Sequence, residues 1–381
     1  MPRVFKEIDW LLLSSVLVIA FLGIVTMKSF GSSSSALASS DYFFKRQIIW
    51  VALGVAAFFL ATWINWDFLK TNSIFLFFIY LFVLLSLFAL IFTVDSVRGA
   101  TSWYRIYSLS IEPVELMKTV LALLLAKYFS KRHVEIARLR HIFISGVYAF
   151  LPAGLVFLHS DFGSAMILGC IWLGMGLCGG IKFKHLVFIF LIGVILFGVL
   201  WGFFLAPYQK SRIVSFLSPQ SDVRGSGYHA LQSVIAVGSG GIFGRGVGFG
   251  TQSRLEFLPE NETDFIFASF AEEWGFAGVV ILFLFFAIVL WRILRVGIYG
   301  ESNFPKLYAA GFSIFLFAQI AVHIGMNIGM LPITGLGLPF MSYGGSSTIS
   351  LFITLGILQS FNIRKKGIFL GTEDRYKEGI L

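Results

Sequence analysis

The sequence predicts an all-α polytopic membrane protein: one domain over residues 1–381, ten transmembrane helices, and a large extracytoplasmic loop at 207–265 between helices 7 and 8. Three observations carry this. Hydrophobic residues make up 57% of the chain, with 44 Phe, where soluble domains hold about 45–50% apolar residues. Charged residues are 13%, roughly half the soluble share. The apolar residues also fall into runs long enough to cross about 30 Å of hydrocarbon.

In chain order, the first run is 10–29. It follows a basic flank but has no small-residue cleavage site, so it reads as a retained helix rather than a signal peptide. A Ser-rich linker, Gly31 to Ser40, leads to runs at 48–64 and 73–94. The fourth run is 113–129, and the fifth, 141–158, is interrupted by Pro152 and Gly154. The sixth and seventh are 162–180 and 186–206. After the polar stretch 207–265 come 266–292, 306–330 and 346–362. Cys170 and Cys178 share the sixth run; eight helical residues rise about 12 Å, too far for a disulfide.

The distribution of Lys and Arg orients the spans. With the N-terminus inside, the cytoplasmic segments hold 18 of the 29 cations, and the short outer loops hold only Lys28, Lys45, Arg46, Arg98 and Arg105. Cytoplasmic loops carry this excess as a rule. Both termini are therefore expected inside and the 207–265 loop outside. The +9 net charge does not point to nucleic acid, because no soluble run interleaves Lys/Arg with exposed aromatics.

The outer segments hold the candidate chemistry. Leu258-Pro259-Glu260-Asn261-Glu262-Thr263-Asp264 closes the long loop and runs straight into the eighth span. Asp264 thus sits where water meets hydrocarbon, a costly place for a charge and one usually kept for function. Glu115 and Lys118 lie three apart in the fourth span and share a helix face; they form either a functional couple or a structural ion pair. Asp161 precedes the sixth span, where an Asp serves as an N-cap or takes part in chemistry. The run from Gly238 to Gly248, with Lys210, Arg212, Arg224, Arg245 and Arg254 in the same loop, suits an anionic, phosphate-bearing ligand or a flexible solvated loop. Glu272 and Glu273 answer nearby cations or cap a water-filled interior. The Gly- and Pro-rich stretch 331–347 is tolerated at membrane depth only when protein or a water-filled cavity surrounds it. Asn261-Glu262-Thr263 matches a glycosylation sequon and reads as a chance match. The six His show no ligand spacing, and no metal motif is readable.

Three long motifs carry a resemblance. They are Gly250-Thr251-Gln252-Ser253-Arg254-Leu255-Glu256-Phe257-Leu258-Pro259-Glu260-Asn261-Glu262-Thr263-Asp264-Phe265-Ile266-Phe267-Ala268 with Glu272-Glu273-Trp274-Gly275; Gly227-Tyr228-His229-Ala230-Leu231-Gln232-Ser233 with Ile235 to Gly241; and Leu338-Pro339-Phe340-Met341-Ser342-Tyr343-Gly344-Gly345-Ser346. Together they resemble the SEDS family (shape, elongation, division and sporulation: RodA, FtsW and SpoVE). The Ile8-Asp9-Trp10 start, the short termini and the Gly-Thr-Gln-Ser-x-Leu-Glu-Phe run look most like the RodA branch.

The resemblance implies a peptidoglycan glycosyltransferase of the bacterial cytoplasmic membrane. It would polymerise lipid II into glycan strands at the outer leaflet, release undecaprenyl diphosphate and serve elongation and cell shape, with a class B penicillin-binding protein as partner. The family's essential aspartate falls on Asp264 and its paired Glu and Lys on Glu115 and Lys118, with Asp161 and Glu260 in support. Lys45, Arg46, Gln47, Lys210, Arg212, Ser342 and Gly344 take substrate-binding positions. Two motifs depart from the family pattern. Glu112-Pro113-Val114-Glu115 replaces Gln-Pro-Ser-Glu, and Thr101-Ser102-Trp103 stands where Arg-Trp is usual, which leaves Arg98 or Arg105 as that loop's cation.

The chemistry agrees with the residues. Joining sugars needs one general base for the acceptor hydroxyl. The leaving diphosphate needs charge neutralisation rather than a second carboxylate. Cations supply it, with or without a divalent ion (Mg2+ or Mn2+), and no organic cofactor is implied. Three other readings compete: a lipid II flippase, which predicts inverted repeats and polar groups on both faces; a scaffold for a partner enzyme; and a division-specific FtsW-type polymerase.

Overall fold

Asp9 sets the start of the first helix. Its carboxylate accepts the Leu12 N–H at 3.1 Å, an N-cap that satisfies one of the free donors of the first turn, and so opens α1 (Trp10–Ser29). The same carboxylate lies 2.6 Å from the Arg292 guanidinium and ties α1 to a helix 283 residues later in the chain. The computed structural model describes residues 7–30, 37–93, 103–106, 109–131, 139–204, 210, 214–218, 225–255, 257–258 and 260–378.

After α1 come α2 (Leu37–Trp63), the short α3 (Phe68–Thr71) and α4 (Ser73–Thr93). A hairpin, β1 (Tyr104–Ile106) and β2 (Leu109–Ile111), pairs antiparallel with Arg105 opposite Ser110. Then follow α5 (Pro113–Ser130), α6 (Leu139–Leu158), α7 (Phe162–Gly179) and α8 (Phe183–Val199), which passes into a π-turn at Leu200–Phe204. The long polar stretch contains α9 (Ser226–Ser239) and α10 (Thr251–Arg254). The chain closes with α11 (Ile266–Ile298), α12 (Asn303–Asn327) and α13 (Gly345–Glu378).

The molecule is a nearly all-helical membrane protein, and the hairpin departs from an all-helical expectation. Its residues are β-branched or aromatic at many positions, which favours strand locally. Eight helices among the described residues are long and apolar enough to cross a membrane. Two expected spans form helices that fall short of that measure for visible reasons. α5 carries Glu115, Lys118 and Lys127, and α8 has 17 residues. The helix expected at 48–64 begins at Leu37, because Lys45 and Arg46 end the apolar run without ending the helix. Pro152 lies inside an unbroken α6. Neither cysteine is in a disulfide.

Two helices form the centre. α5 packs against α4, α7, α12 and α13, and α12 packs against α5, α7 and α11. α2 and α13 run along each other, with Phe58 and Phe352 buried on them. Lys127, near the end of α5, donates to the carbonyls of Leu69 (2.8 Å) and Lys70. It thereby supplies donors to the last carbonyls of α3, groups that a helix end leaves without partners.

α11 is broken at Gly275 (φ 67°, ψ −169°). The glycine-rich segment after α9 packs into the break by its backbone. Arg245 and Gly246 donate to the Glu272 and Glu273 carbonyls (3.0 Å each), while Phe276 and Ala277 donate to the Gly241 and Ile242 carbonyls (2.9 Å each). Each side thus satisfies backbone groups that the break leaves open. The glycines let two backbones meet: a Cβ at Gly244 (φ +80°) would overlap the Glu273 carbonyl. The approach read as suited to a ligand is used on the chain itself. Gly244→Ala is expected to destabilise the protein by about 1–3 kcal/mol through overlap and left-handed strain. A thermal melt unchanged from the parent would show that the loop does not dock this tightly.

Candidate active site

The site is built on the turn that enters α11. Glu260 has φ +50°, and its carbonyl accepts the N–H groups of Thr263 (3.2 Å), Asp264 (3.0 Å) and Phe265 (3.4 Å). This lifts Asp264 to the mouth of the helix. The carbonyls of Glu262, Thr263 and Asp264 are then each held from another part of the chain. Tyr343 N–H donates to Glu262 (2.9 Å), Ser342 Oγ to Thr263 (2.8 Å) and Asn327 Nδ2 to Asp264 (3.0 Å). The backbone that carries Asp264 is thus held at three consecutive carbonyls.

Asn327, fully buried at the end of α12, is the centre of this clamp. Its Nδ2 also donates to the His323 carbonyl (2.8 Å), while its Oδ1 accepts the Ala268 N–H (3.2 Å) in the first turn of α11. Its own carbonyl accepts from Ser233 Oγ of α9 (2.8 Å). One amide therefore joins α9, α11, α12 and the Asp264 turn. Two further polar side chains on α12, one and two turns earlier, hold the 331–345 stretch. His323 Nδ1 donates to the Leu336 carbonyl (2.7 Å) and Gln319 Nε2 to that of Gly337 (2.8 Å). Just before them Gly335 (φ +78°) presents bare backbone to the carboxylate; a Cβ there would sit 3.9 Å from Asp264 Oδ2.

Gln47, Ser342 and Gly344 belong to this scaffold. Gln47 is buried; its Nε2 donates to the Ser342 carbonyl (3.2 Å) and its Oε1 accepts the Gly344 N–H (3.3 Å). Ser342 Oγ also accepts the Leu338 N–H (2.7 Å). These residues hold the loop that holds Asp264. Among the cations, Arg46 lies over the Tyr42 ring (4.2 Å) and Lys210 near the Trp201 ring (5.9 Å), while Lys45 is exposed on α2. Arg212, Arg98 and the Arg105 side chain, like Thr101 and Ser102, fall outside the described residues.

A second polar cluster lies on α5. Lys118 Nζ is 2.7 Å from Glu115 Oε1, both side chains are buried, and the ammonium also sits 5.6 Å from the Phe315 ring centre. Among the described residues Glu115 Oε2 has no hydrogen-bond partner. Asp161 caps α7, its Oδ1 accepting the Ser164 N–H at 2.9 Å. Burial pushes its carboxyl above the ordinary range, with neighbouring Glu115 adding to the shift while Lys118 and the Ser164 hydrogen bonds oppose it. Burial likewise holds the His159 imidazole below its usual value, against the pull of Asp161. Ser346 connects this cluster to the start of α13: its Oγ donates to Ser110 (2.8 Å) and accepts the Glu112 N–H (3.1 Å).

Glu112, one of the departures from the family motif, lies in the same field. Burial first, then the Glu115 and Asp161 carboxylates, push its carboxyl well above the usual 4.5. A carboxyl raised on folding favours its protonated form in the folded state. That contribution is complete below 4.5 and is lost as pH rises through the folded value. Glu112→Gln is therefore expected to melt like the parent in acid and higher than the parent in mildly alkaline buffer. Thermal scans across pH test this; a difference that does not grow with pH would overturn it.

The structure thus brings Asp264 together with Glu260, Ser342 and, through Ser342, with Gln47 and Gly344. It groups Glu115, Lys118 and Asp161 separately around α5 and the start of α7. Asn327 and Gln319 do not stand out in the sequence, and His323 is there only one of six histidines without ligand spacing. Their signal was present: polar side chains spaced by four along an apolar span share one helix face. Glu272 and Glu273 prove to be anchors. Glu272 accepts from Thr251 Oγ1 and the Gln252 and Ser253 N–H groups (2.9–3.1 Å), capping α10. Glu273 accepts from Ser29 Oγ (2.6 Å) and Gly248 N–H (3.0 Å).

Comparison with known proteins agrees with this architecture. The chain is 35% identical to stage V sporulation protein E of Bacillus subtilis, over 92% of its own length and 95% of that protein. It is 36% identical to the peptidoglycan glycosyltransferase MrdB of Escherichia coli, over 71% and 72% of the two chains. A chain in the solved structure of a peptidoglycan synthase complex superposes with a TM-score of 0.77 at 28% identity, covering 93% of this chain and 97% of that one. Residues 9–367 match the family model for FtsW, RodA and SpoVE, described as cell cycle protein. On these grounds the chain belongs to the FtsW, RodA and SpoVE family of membrane proteins, the SEDS proteins.

Proposed function

We propose that this protein is a peptidoglycan glycosyltransferase that polymerises lipid II, with Asp264 as the general base and elongation of the cell wall as its role. The observation that carries the reading is the triple clamp on the Glu262, Thr263 and Asp264 carbonyls, which holds the turn bearing one carboxylate beside the bare backbone of Gly335. A group that must meet a hydroxyl within hydrogen-bond reach gains from such restraint. The identities to MrdB and to a chain of a synthase complex point the same way.

In this reading ten spans cross the cytoplasmic membrane, both termini lie inside and Asp264 faces outward. Asp264 accepts the proton of the acceptor sugar 4-hydroxyl as that oxygen bonds to the anomeric carbon of the donor. The bond to the diphosphate breaks, and undecaprenyl diphosphate leaves as an anion. Lys45, Arg46, Lys210 and Arg212 are the cations assigned to it, while Glu260, Gln47, Ser342 and Gly344 act by positioning. Lys118, paired with Glu115, sets the field near Asp161. Among the described residues no three His, Cys, Asp or Glu side chains are grouped to hold a metal ion. A class B penicillin-binding protein is the proposed partner.

The purified protein, alone and with that partner, is incubated with lipid II and the products are run on a gel. Glycan polymer is expected; lipid II unchanged in both reactions would reject the reading. Orientation is tested separately in intact cells with an impermeant thiol reagent, after Cys170→Ser and Cys178→Ser. Gln220→Cys is expected to label and Glu135→Cys not to; the reverse pattern would invert the topology.

A further inference from the structure

The glycine-rich segment carries an apolar surface that the site does not use. Ile242, Phe243 and Phe249 are 65%, 84% and 68% exposed, and Val247 and Leu255 are exposed beside them. Their depth can be read from the backbone. Ser29 ends α1, and its hydroxyl is bonded to Glu273, so Glu273 lies level with the end of that span. The Gly241 and Ile242 carbonyls bond to Phe276 and Ala277, three to four residues further along α11. Those residues lie past the Gly275 break, further along α11 from the Asp264 turn and so deeper. The chain then turns back, and Arg245 and Gly246 bond at the level of Glu272 and Glu273. The segment dips and returns.

The surface is also continuous with an exposed apolar face of a membrane-crossing helix. Phe276, Val280 and Leu284 are exposed on α11 within an apolar, membrane-crossing helix, and Phe276 is the residue on which Gly241 docks. We propose that residues 240–249 form a re-entrant wedge that inserts Ile242 and Phe243 among the acyl chains of the leaflet on the Asp264 side. Arg245 is exposed at the shallower level, held by Ser239 O (3.3 Å) and Thr251 Oγ1 (3.2 Å). There its guanidinium meets lipid phosphates, as Arg does at membrane interfaces. A membrane-anchored wedge gives the loop that leads into the Asp264 turn a fixed depth. Calling this leaflet the outer one rests on the orientation proposed above; the insertion itself does not.

The test uses the full chain without its two native cysteines, in nanodiscs of phosphatidylethanolamine and phosphatidylglycerol. A nitrobenzoxadiazole label is placed at Phe243→Cys or Phe249→Cys, with Glu301→Cys in an exposed turn as the aqueous reference. Labels at 243 and 249 are expected to be quenched by doxyl-labelled lipid and protected from iodide, with the reverse at 301. Iodide access at 243 and 249 without doxyl quenching would place the wedge in water and overturn the proposal. Protection from both quenchers would mean that protein covers the surface, and would overturn it equally. Both labelled positions are exposed, and a monodisperse elution profile confirms the fold of each variant.

Discussion

Asp264→Asn is expected to reduce lipid II polymerisation by about 10²–10⁴-fold, the usual contribution of a general base, while leaving the fold intact. The substitution keeps the shape of the side chain and removes its capacity to take a proton. Two bonds that hold its place run through the backbone: its N–H to Glu260 and its carbonyl to Asn327. Those bonds do not depend on the charge, so melting temperature and elution should match the parent. Asp264→Glu provides the geometric control. It restores a base but moves it by one methylene within a turn held at consecutive carbonyls, and partial recovery is the expected result. A purified Asn variant that polymerised lipid II near the parental rate would make Asp264 a structural residue and remove the centre of the proposed site.

Much of this arrangement could be read in the sequence where a residue type meets a position. Asp264 stands out because a charge where water meets hydrocarbon is costly and usually kept for function, although the same position before a span serves Asp9 and Asp161 as N-caps. Glu115 and Lys118 stand out because spacing alone puts them on one helix face. Gln47 and Ser342 show where such reading ends. A polar side chain near a cavity looks the same in sequence whether it faces a ligand or a carbonyl of its own chain, and here both spend their polar atoms on the loop. The glycine run has the same ambiguity. Close backbone approach is legible, but its partner is the break at Gly275. Glu272, Glu273 and the glycine itself mark that place in the sequence without saying that the loop docks there. Asn327 is harder still, since its role exists only once α9, α11 and α12 have come together.

The buried pair on α5 should give the largest stability effect of any single substitution considered. Lys118→Met is expected to cost about 3–5 kcal/mol, because removing one partner leaves the other as an unpaired buried charge. Glu115 would keep both oxygens in a buried site where, among the described residues, Oε2 already lacks a partner. Glu112 and Asp161, whose carboxyls are already pushed upward by burial and by Glu115, would lose the cation that opposes this. Glu115→Gln combined with Lys118→Met should regain most of the stability, since an apolar or neutral pair carries no desolvation penalty. A double-mutant cycle on unfolding isolates the coupling from the two separate costs. Activity adds a second axis. If the pair acts by supporting the cavity, exchanging the charges (Glu115→Lys with Lys118→Glu) restores part of the polymerisation lost in each neutral single variant. Single variants that melt like the parent, lose activity and are not rescued by the exchange would instead assign Glu115 and Lys118 separate, direct contacts with substrate.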